Sequence, residues 1–489
     1  MNRFNDISIK AVDSTKWSAI TEIIVRIISP ITNMILARLL TPEAFGVVAT
    51  INMIISFVEM LSDSGFQKYL IQHEFNNDEE KYESINVAFW TNLAMSIIIY
   101  ILIVLNCNSI ASMVGNKGMG IVISIASIQL PITSFSSIQM ALYKRNFWFK
   151  KLFYIRTITS LIPLIITIPL AILDYGYWSI IIGNIVSQLV TAILLTFLSS
   201  WKPRLHYDFI VLISMFSYSF WILIESITIW LSGWIDVFII SNLLDEYYTG
   251  LYKTSTALVN AIMVIITSTV IPVMFSTLAR LQNNEYEFNN VLLKFQRAVS
   301  YLIFPLGLGI YIYKDLATKI LLGNRWLDAS EVIGIWALSN ILYMVIGYFC
   351  SEVYRVIGKP RISIIAQILN ILNLVPICIL GIKKGFIMFI YYRAISKVLF
   401  VIIHLIIMKW LVKYPVSKMV YNIIPSFVSS LFMGFVGFLL KLISQNLIFD
   451  IISILICIVI YLIILITFKR VRKDISEFTH FYKSYIRNS

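Results

Sequence analysis

Four basic side chains lie inside long apolar runs of this sequence, where a charge is costly. Arg26 lies near the middle of the first run, Arg156 lies in a later one, and Arg393 and Lys397 share another. A charge at the centre of a membrane-spanning helix costs about 2.5–3.5 kcal/mol on insertion scales, so such charges persist where they face a bundle interior or a wet cavity. The pattern predicts a polytopic membrane protein with a polar, partly cationic interior, which favours transport over anchoring.

Spacing places the later cations on one helix face. Arg393, Lys397 and His404 fall at positions i, i+4 and i+11, and these positions lie on one side of an α-helix. A basic face with three members inside an apolar run is hard to explain by packing alone. The structural alternative is pairing with acids on neighbouring segments, such as Glu225 or Glu331.

Each of the other basic candidates also has a structural interpretation. Glu22 lies four residues before Arg26, so the two can form a bridge on one helix face. Arg156 near the inner end of its segment is also explained as a positive-inside anchor. Lys253 near the start of the eighth segment is the rough counterpart of Arg38 at the end of the first, where a long side chain can extend to the interface.

The seventh apolar segment carries aromatic and acidic side chains together. Trp221, Glu225 and Thr228 are three or four residues apart and therefore share a helix face, with Trp230 and Trp234 further along. This face suits contact with sugars, or a carboxylate that carries a coupling ion. The structural alternative is an interfacial belt of tryptophan with one paired acid.

Composition excludes a soluble globular protein. Of 489 residues, 59% are hydrophobic and 13% charged, and the net charge is +13. The four histidines and four cysteines show no metal-ligand spacing, and no nucleotide-binding motif is present. We therefore expect no metal, no cofactor, no nucleic-acid partner and no enzymatic activity.

The apolar runs predict an all-α membrane protein, because they are continuous rather than alternating. We expect about 14 transmembrane helices, at 17–39, 44–66, 84–106, 118–142, 152–173, 176–198, 212–240, 249–279, 292–313, 330–352, 361–381, 386–408, 420–441 and 446–468. The basic residues concentrate in alternate loops, including Lys144–Lys151 and the C-terminal tail, which predicts that both termini are cytoplasmic. The basic tail also suits contact with anionic lipid headgroups.

An internal repeat divides the chain. Trp17 is followed by Leu39-Leu40 and Gly46, and Trp221 is followed at the same spacing by Leu243-Leu244 and Gly250. Helices 1–6 and 7–12 therefore look like two parallel copies related by an axis along the membrane normal. The predicted domains are an N-terminal lobe at 1–208, a C-terminal lobe at 209–411, and two appended helices with a basic tail at 412–489.

The first 150 residues carry a specific resemblance. The telling stretches are Lys16-Trp17-Ser18, Ala37-Arg38-Leu39-Leu40-Thr41-Pro42-Glu43-Ala44-Phe45-Gly46, Leu61-Ser62-Asp63-Ser64-Gly65-Phe66 and Tyr143-Lys144-Arg145 with Phe149-Lys150. They resemble Wzx-type oligosaccharide flippases of the multidrug/oligosaccharidyl-lipid/polysaccharide (MOP) exporter superfamily, closest to the branch similar to the colanic acid exporter. Thr41-Pro42-Glu43 also has the chemistry of a helix start, with a capping threonine, proline in the first position and an acid in the first turn.

The resemblance implies a function and a substrate. The expected fold has two six-helix lobes in a V, as in MATE transporters, plus two C-terminal helices. The expected activity is flipping of undecaprenyl-pyrophosphate-linked oligosaccharide units from the inner to the outer leaflet of the bacterial cytoplasmic membrane by alternating access, for surface polysaccharide. Membrane lipids are further expected partners; a polysaccharide polymerase as partner, and H⁺ or Na⁺ as coupling ion, are left open.

For such a substrate the candidate residues are Arg26, Arg393, Lys397, Lys253, Arg156, Glu225 and Trp221. Arginine binds a diphosphate bidentately and lysine binds it as a point charge, whereas sugars need polar and aromatic surfaces. The main alternative is a multidrug or cation antiporter of the related branch, which would favour buried acids. A membrane enzyme of the same pathway would need a large outer loop, which this chain lacks, and a scaffold would not need intramembrane charges.

Overall fold

The computed structural model describes residues 2–63, 65–444 and 446–477, without the side chains of 2–13, 15, 217–222 and 360. Within these residues fourteen helices are long and apolar enough to cross a membrane. In a bilayer every backbone polar group must be satisfied internally, which α-helices do. The predicted all-α polytopic fold is confirmed. The helices are α1 Lys16–Leu39, α2 Pro42–Asp63, α3 Asp78–Leu105, α4 Gly120–Arg145, α5 Phe149–Ile172, α6 Tyr177–Leu198, α7 Leu223–Leu243, α8 Glu246–Arg280, α9 Glu285–Ile312, α10 Asn324–Val356, α11 Arg361–Ile382, α12 Phe386–Trp410, α13 Val416–Ile443 and α14 Leu447–Thr467.

The signature segment after α1 has the predicted local chemistry. Helix α2 begins at Pro42, with Glu43 in its first turn, directly after Thr41. Proline fits this position because its missing N–H would have no partner inside the helix. At the other end of α2, Asp63 Oδ1 accepts a hydrogen bond from the Gln67 backbone amide at 3.4 Å. The acid therefore connects α2 to the short helix Phe66–Gln72.

The chain forms two compact units, Met1–Thr254 and Ser255–Ser489. In the N-terminal unit, the helix Phe209–Leu243, which includes α7, packs against α2, α3 and the short helix Phe66–Gln72. In the C-terminal unit, α9 packs against α10 and α13, and α12 packs against α10 and α11. The division into lobes at 1–208 and 209–411, with appended helices at 412–489, stays a prediction.

Two glycines of the sequence repeat meet inside the N-terminal unit. A Cβ on Gly46 of α2 would lie 1.8 Å from the Glu246 carbonyl oxygen, and a Cβ on Gly250 of α8 would lie 1.8 Å from the Pro42 carbonyl oxygen. Each glycine thus faces the first residue of the other glycine's helix. Such backbone contact is possible only without a side chain, as in other close helix crossings.

The predicted topology can be tested by labelling single cysteines in cells. Lys117 precedes α4, Lys150 follows it, and both side chains are exposed. With cytoplasmic termini, Lys117→Cys should react with a membrane-impermeant maleimide added to intact cells, whereas Lys150→Cys should react only after permeabilisation. Cys107 is replaced by serine in both variants because it is the one native cysteine that is not buried. Labelling of Lys150→Cys in intact cells would reverse the inside and outside assignment.

Candidate functional sites

A carboxylate between two arginines forms the N-terminal cation site (Glu22, Arg26 and Arg156). Glu22 Oε2 accepts from Arg26 Nε at 3.2 Å, and Glu22 Oε1 accepts from Arg156 Nη1 at 2.7 Å. Arg26 and Glu22 are one helical turn apart on α1, and α5 packs beside them and supplies Arg156. The structure therefore contains the bridge that the sequence allowed, and adds a second arginine. One carboxylate with two guanidinium groups leaves one net positive charge.

The N-terminal cation site is open rather than sealed. The side chains of Arg26, Glu22 and Arg156 are 36%, 40% and 40% exposed. The bonds above use one N–H of each arginine, and a guanidinium carries five. Lys144, which is exposed at the end of α4, interacts electrostatically with both Arg156 and Glu22. This cluster can therefore present several donors and a net positive charge to an anionic group.

Lys253 has structural partners within the same unit. Its Nζ lies 3.6 Å from the ring centroid of Trp234, a cation–π contact, and it interacts electrostatically with buried Asp236. Asp236 also accepts a hydrogen bond from Tyr252 Oη at 2.5 Å. Lys253 is predicted from the sequence as a substrate-binding cation, and Asp236 is not among the predicted site residues. These contacts favour a role in joining α7 to α8.

The aromatic face predicted on α7 is only partly described. Trp230 Nε1 donates to Ser56 Oγ at 3.0 Å, and its ring lies 4.8 Å from Phe57, so this tryptophan packs against α2. Glu225 is half-buried. Trp221, which is predicted to share its face, lies outside the residues whose side chains are described. The roles predicted for Glu225 and Trp221 therefore stay predictions.

The C-terminal cation site is built from the basic face of α12 and an aromatic and amide face of α10. Arg393 and Lys397 are each 8% exposed. The Lys397 ammonium lies 3.8 Å from the ring centroid of Trp336, and the Arg393 guanidinium lies 5.3 Å from the same ring. Lys397 Nζ also donates to Asn340 Oδ1. Two adjacent cations are thus held on an aromatic ring inside the protein, where cation–π attraction is strengthened by desolvation.

A second layer of amides fixes this aromatic and amide face. Asn260 Oδ1 accepts from Trp336 Nε1 at 3.0 Å and from Asn340 Nδ2 at 2.8 Å. A π-helical turn at Tyr343–Gly347 follows, and the Tyr343 ring lies 5.3 Å from Lys397 Nζ. π-Helical turns are frequent at functional sites. Sequence reasoning missed Asn260, Trp336 and Asn340, although Trp336 and Asn340, one turn apart in an apolar run, were a usable signal.

One member of the predicted basic cluster, and one acid considered as its partner, have other surroundings. His404 shares the helix face but is 1% exposed, with its Nδ1 3.2 Å from Tyr354 Oη and its ring 4.5 Å from Phe400. It therefore packs in the core of the C-terminal unit. Glu331, considered as an acid partner for the α12 cations, forms an ion pair with Lys314.

An apolar cavity lies between helices of the C-terminal unit, including the two that carry the cation site. Its volume is about 440 Å³, and it lies among α9, α10, α12 and α13. The α10 and α12 residues that line it are sequence neighbours of Trp336, Asn340 and Lys397. Lining residues include Ile335, Ser339, Ala394, Val398 and Phe427. A cationic site and a hydrocarbon-compatible space are therefore built by the same pair of helices.

The fold and the two cation sites define a class of protein. The chain is a polytopic helical membrane protein with cationic sites inside its spans. Among the described residues, no three His, Cys, Asp or Glu side chains are arranged to hold a metal ion. Ionisable side chains inside membrane spans are rare and mark substrate or ion pathways, as in transporters.

The chain belongs to the polysaccharide biosynthesis protein family, whose sequence profile matches residues 35–331. It is 24% identical over 310 residues to the succinoglycan biosynthesis transport protein ExoT of Rhizobium meliloti (strain 1021), a match that covers 63% of this chain and 62% of ExoT. It is 20% identical over 342 residues to the lipopolysaccharide biosynthesis protein WzxC of Escherichia coli (strain K12), covering 69% of this chain and 68% of WzxC. The resemblance noted in the sequence is confirmed.

Solved structures support the same fold. The lipid II flippase MurJ, in an inward closed conformation, matches with a TM-score of 0.73 at 16% identity, covering 91% of this chain and 97% of MurJ. At this identity the likeness concerns the fold alone. The fold is that of the MOP superfamily, as expected from the sequence.

Proposed function

We propose that this protein flips undecaprenyl-pyrophosphate-linked oligosaccharide units from the inner to the outer leaflet of a bacterial cytoplasmic membrane by alternating access. The family assignment and the relatives named above support a role in making a surface polysaccharide. The observation that carries the proposal is the buried pair Arg393 and Lys397, held on Trp336. Ionisable side chains within membrane spans mark substrate pathways by default, and a diphosphate is an anion that arginine and lysine both bind.

The substrate has three chemical parts, and the protein offers a surface for each. The diphosphate needs compensating charge, which we assign to Arg26 and Arg156 in one unit and to Arg393 and Lys397 in the other. The prenyl chain needs apolar space, which the cavity beside α10 and α12 provides. Sugars need polar and aromatic groups, a role we assign to α7.

The remaining candidates have weaker support. We assign Glu225 and Trp221 to sugar contact or, for Glu225, to an H⁺ or Na⁺ coupling step. Lys253 contributes indirectly, because Trp234 and Asp236 hold it near the α7–α8 junction. Glu22 and Glu331 are paired with basic residues, which weighs against a role for these two acids in binding a cationic drug.

A reconstituted flipping assay tests the proposal. The purified protein is placed in liposomes with an undecaprenyl-diphosphate oligosaccharide that carries a fluorophore on the sugar, and dithionite outside quenches only outward-facing fluorophores. We expect quenching to proceed to near completion with the protein, and to stop at the outer-leaflet fraction in protein-free liposomes.

Two further substrates sharpen this assay. A matched lipid with a neutral link in place of the diphosphate should move much more slowly, because the cationic sites then have no anion to bind. A fluorescent cationic drug should not be transported. The proposal would be contradicted if the protein did not accelerate flipping of the diphosphate lipid with a proton gradient, with a sodium gradient or without a gradient. Transport of the drug but not of the lipid would also contradict it.

A further inference from the structure

The chain turns back on itself after its last transmembrane helix. Residues 469–477 are helical and directly follow α14. Val471 of this segment is 1% exposed and belongs to a buried apolar cluster with Tyr461 and Leu465 of α14 and Met433 of α13. The segment is therefore docked on the C-terminal unit, at the membrane surface where α14 ends.

Its two acids point at the protein rather than away from it. Asp474 accepts two hydrogen bonds from Arg297, from Nε and Nη2, both at 2.9 Å, and a third from Tyr301 Oη at 2.8 Å. Glu477 accepts from Lys294 Nζ at 2.9 Å, and this bond lowers the pKa of Glu477. A bidentate arginine–carboxylate pair fixes orientation as well as distance. Both negative charges of the segment are thus matched by cations of α9.

The other side of the segment is basic and exposed. Its exposed cations are Lys469, Arg470, Arg472 and Lys473. The Arg470 guanidinium lies 4.5 Å from the ring centroid of Tyr421, on the first turns of α13. The same turns of α13 carry exposed Lys418, and Tyr421 is 58% exposed. Five exposed cations and an aromatic ring therefore lie on this segment and on the first turns of α13, and we call them together the C-terminal basic surface.

We propose that the C-terminal basic surface binds anionic phospholipid headgroups of the leaflet at which α14 ends. The reason is the distribution of charge: Asp474 is paired with Arg297, Glu477 is shared between Lys294 and Lys473, and the four cations of the segment stay exposed. A basic cluster next to a membrane helix gains about 1 kcal/mol per Lys or Arg near an anionic surface. Tyr421 suits the same boundary, where aromatic side chains with a polar end concentrate.

Lipid titration of the purified full-length protein tests this inference. Binding of phosphatidylglycerol is measured in detergent micelles by native mass spectrometry, with phosphatidylcholine as the neutral comparison. We expect phosphatidylglycerol to bind more tightly than phosphatidylcholine. The double variant Arg470→Gln with Arg472→Gln should lower the affinity for phosphatidylglycerol by roughly 30-fold, about fivefold for each residue. Lys473→Gln, at a side chain that is 77% exposed, should weaken it by about fivefold.

A matched control distinguishes binding at this surface from a general effect of the protein's net charge. Lys359 and Arg361 are exposed cations of the same unit, and Lys359→Gln with Arg361→Gln should leave binding nearly unchanged. The inference would be overturned if both double variants weakened binding equally, or if the Arg470 and Arg472 variant bound phosphatidylglycerol as the unaltered protein does. Equal affinity for phosphatidylcholine and phosphatidylglycerol would also overturn it. Inorganic pyrophosphate that binds as tightly, and is lost in the same variant, would identify a soluble-anion site instead.

A second variant tests the docked geometry. Asp474→Asn removes a negative charge, so a protein that responds only to net charge should bind phosphatidylglycerol more tightly. We expect weaker binding, because loss of the Arg297 pair releases the segment and disperses the basic surface. Tighter binding by Asp474→Asn would therefore count against a surface organised by docking.

Discussion

Arg26→Ala and Lys397→Ala are each expected to abolish glycan export in cells while the protein still inserts in the membrane. The proposed substrate carries two adjacent phosphates across a hydrocarbon core of about 30 Å, and without compensating cations its desolvation would be prohibitive. Lys397 meets this need from a buried position on Trp336, and Arg26 from the open site shared with Glu22. The measurement is surface polysaccharide in a deletion strain that is complemented by each variant at matched expression.

Two control substitutions distinguish loss of a functional cation from loss of folded protein. Arg26→Lys should restore export only partly, because it keeps the charge and loses the bidentate fork. Lys409→Ala, at an exposed lysine near the end of the same helix as Lys397, should export normally. Normal polysaccharide with both alanine variants would remove the cationic-site mechanism and leave the family assignment intact.

Gly46→Ala and Gly250→Ala are each expected to destabilise the N-terminal unit strongly. In both cases the new methyl group would lie 1.8 Å from a backbone carbonyl oxygen, which cannot rotate away as a side chain would. The helices must separate, and overpacking of this kind costs about 1–3 kcal/mol. The measurement is the thermal unfolding midpoint of the purified protein, together with its yield from membranes.

Another glycine provides the control for the crossing of α2 and α8. Gly233 lies within α7 of the same unit, and a Cβ built there meets nothing within 4 Å. Gly233→Ala should be neutral or stabilising by up to about 1 kcal/mol, because alanine loses less backbone entropy in a helix. Similar midpoints for all three variants would show that the close crossing of α2 and α8 does not form.

The local chemistry of several residues could be predicted because it depends on neighbours in the chain. The start of α2 at Pro42 follows from proline geometry and the acid after it. The Glu22–Arg26 pair follows from the one-turn spacing, and the shared face of Arg393 and Lys397 follows from helix periodicity. The family could be predicted from contiguous signature stretches in the first 150 residues.

The partners of these residues required the tertiary structure. Nothing in the sequence near Arg156 indicates that it completes the Glu22 site from another helix. Asn260 is far from Trp336 and Asn340 in the chain, yet it accepts hydrogen bonds from both. Lys253 contacts Trp234 and Asp236, and these contacts depend on how α7 and α8 pack.

The sequence by itself therefore determined the membrane class, the approximate helix positions and the cations that need an explanation. Continuous apolar runs require helices, because a bilayer offers no partner for an unpaired backbone group. The packing of those helices was decided only in three dimensions. In a membrane the faces toward lipid and toward other helices are both apolar, so hydrophobic periodicity does not specify which helices meet, and small residues and polar contacts do so instead.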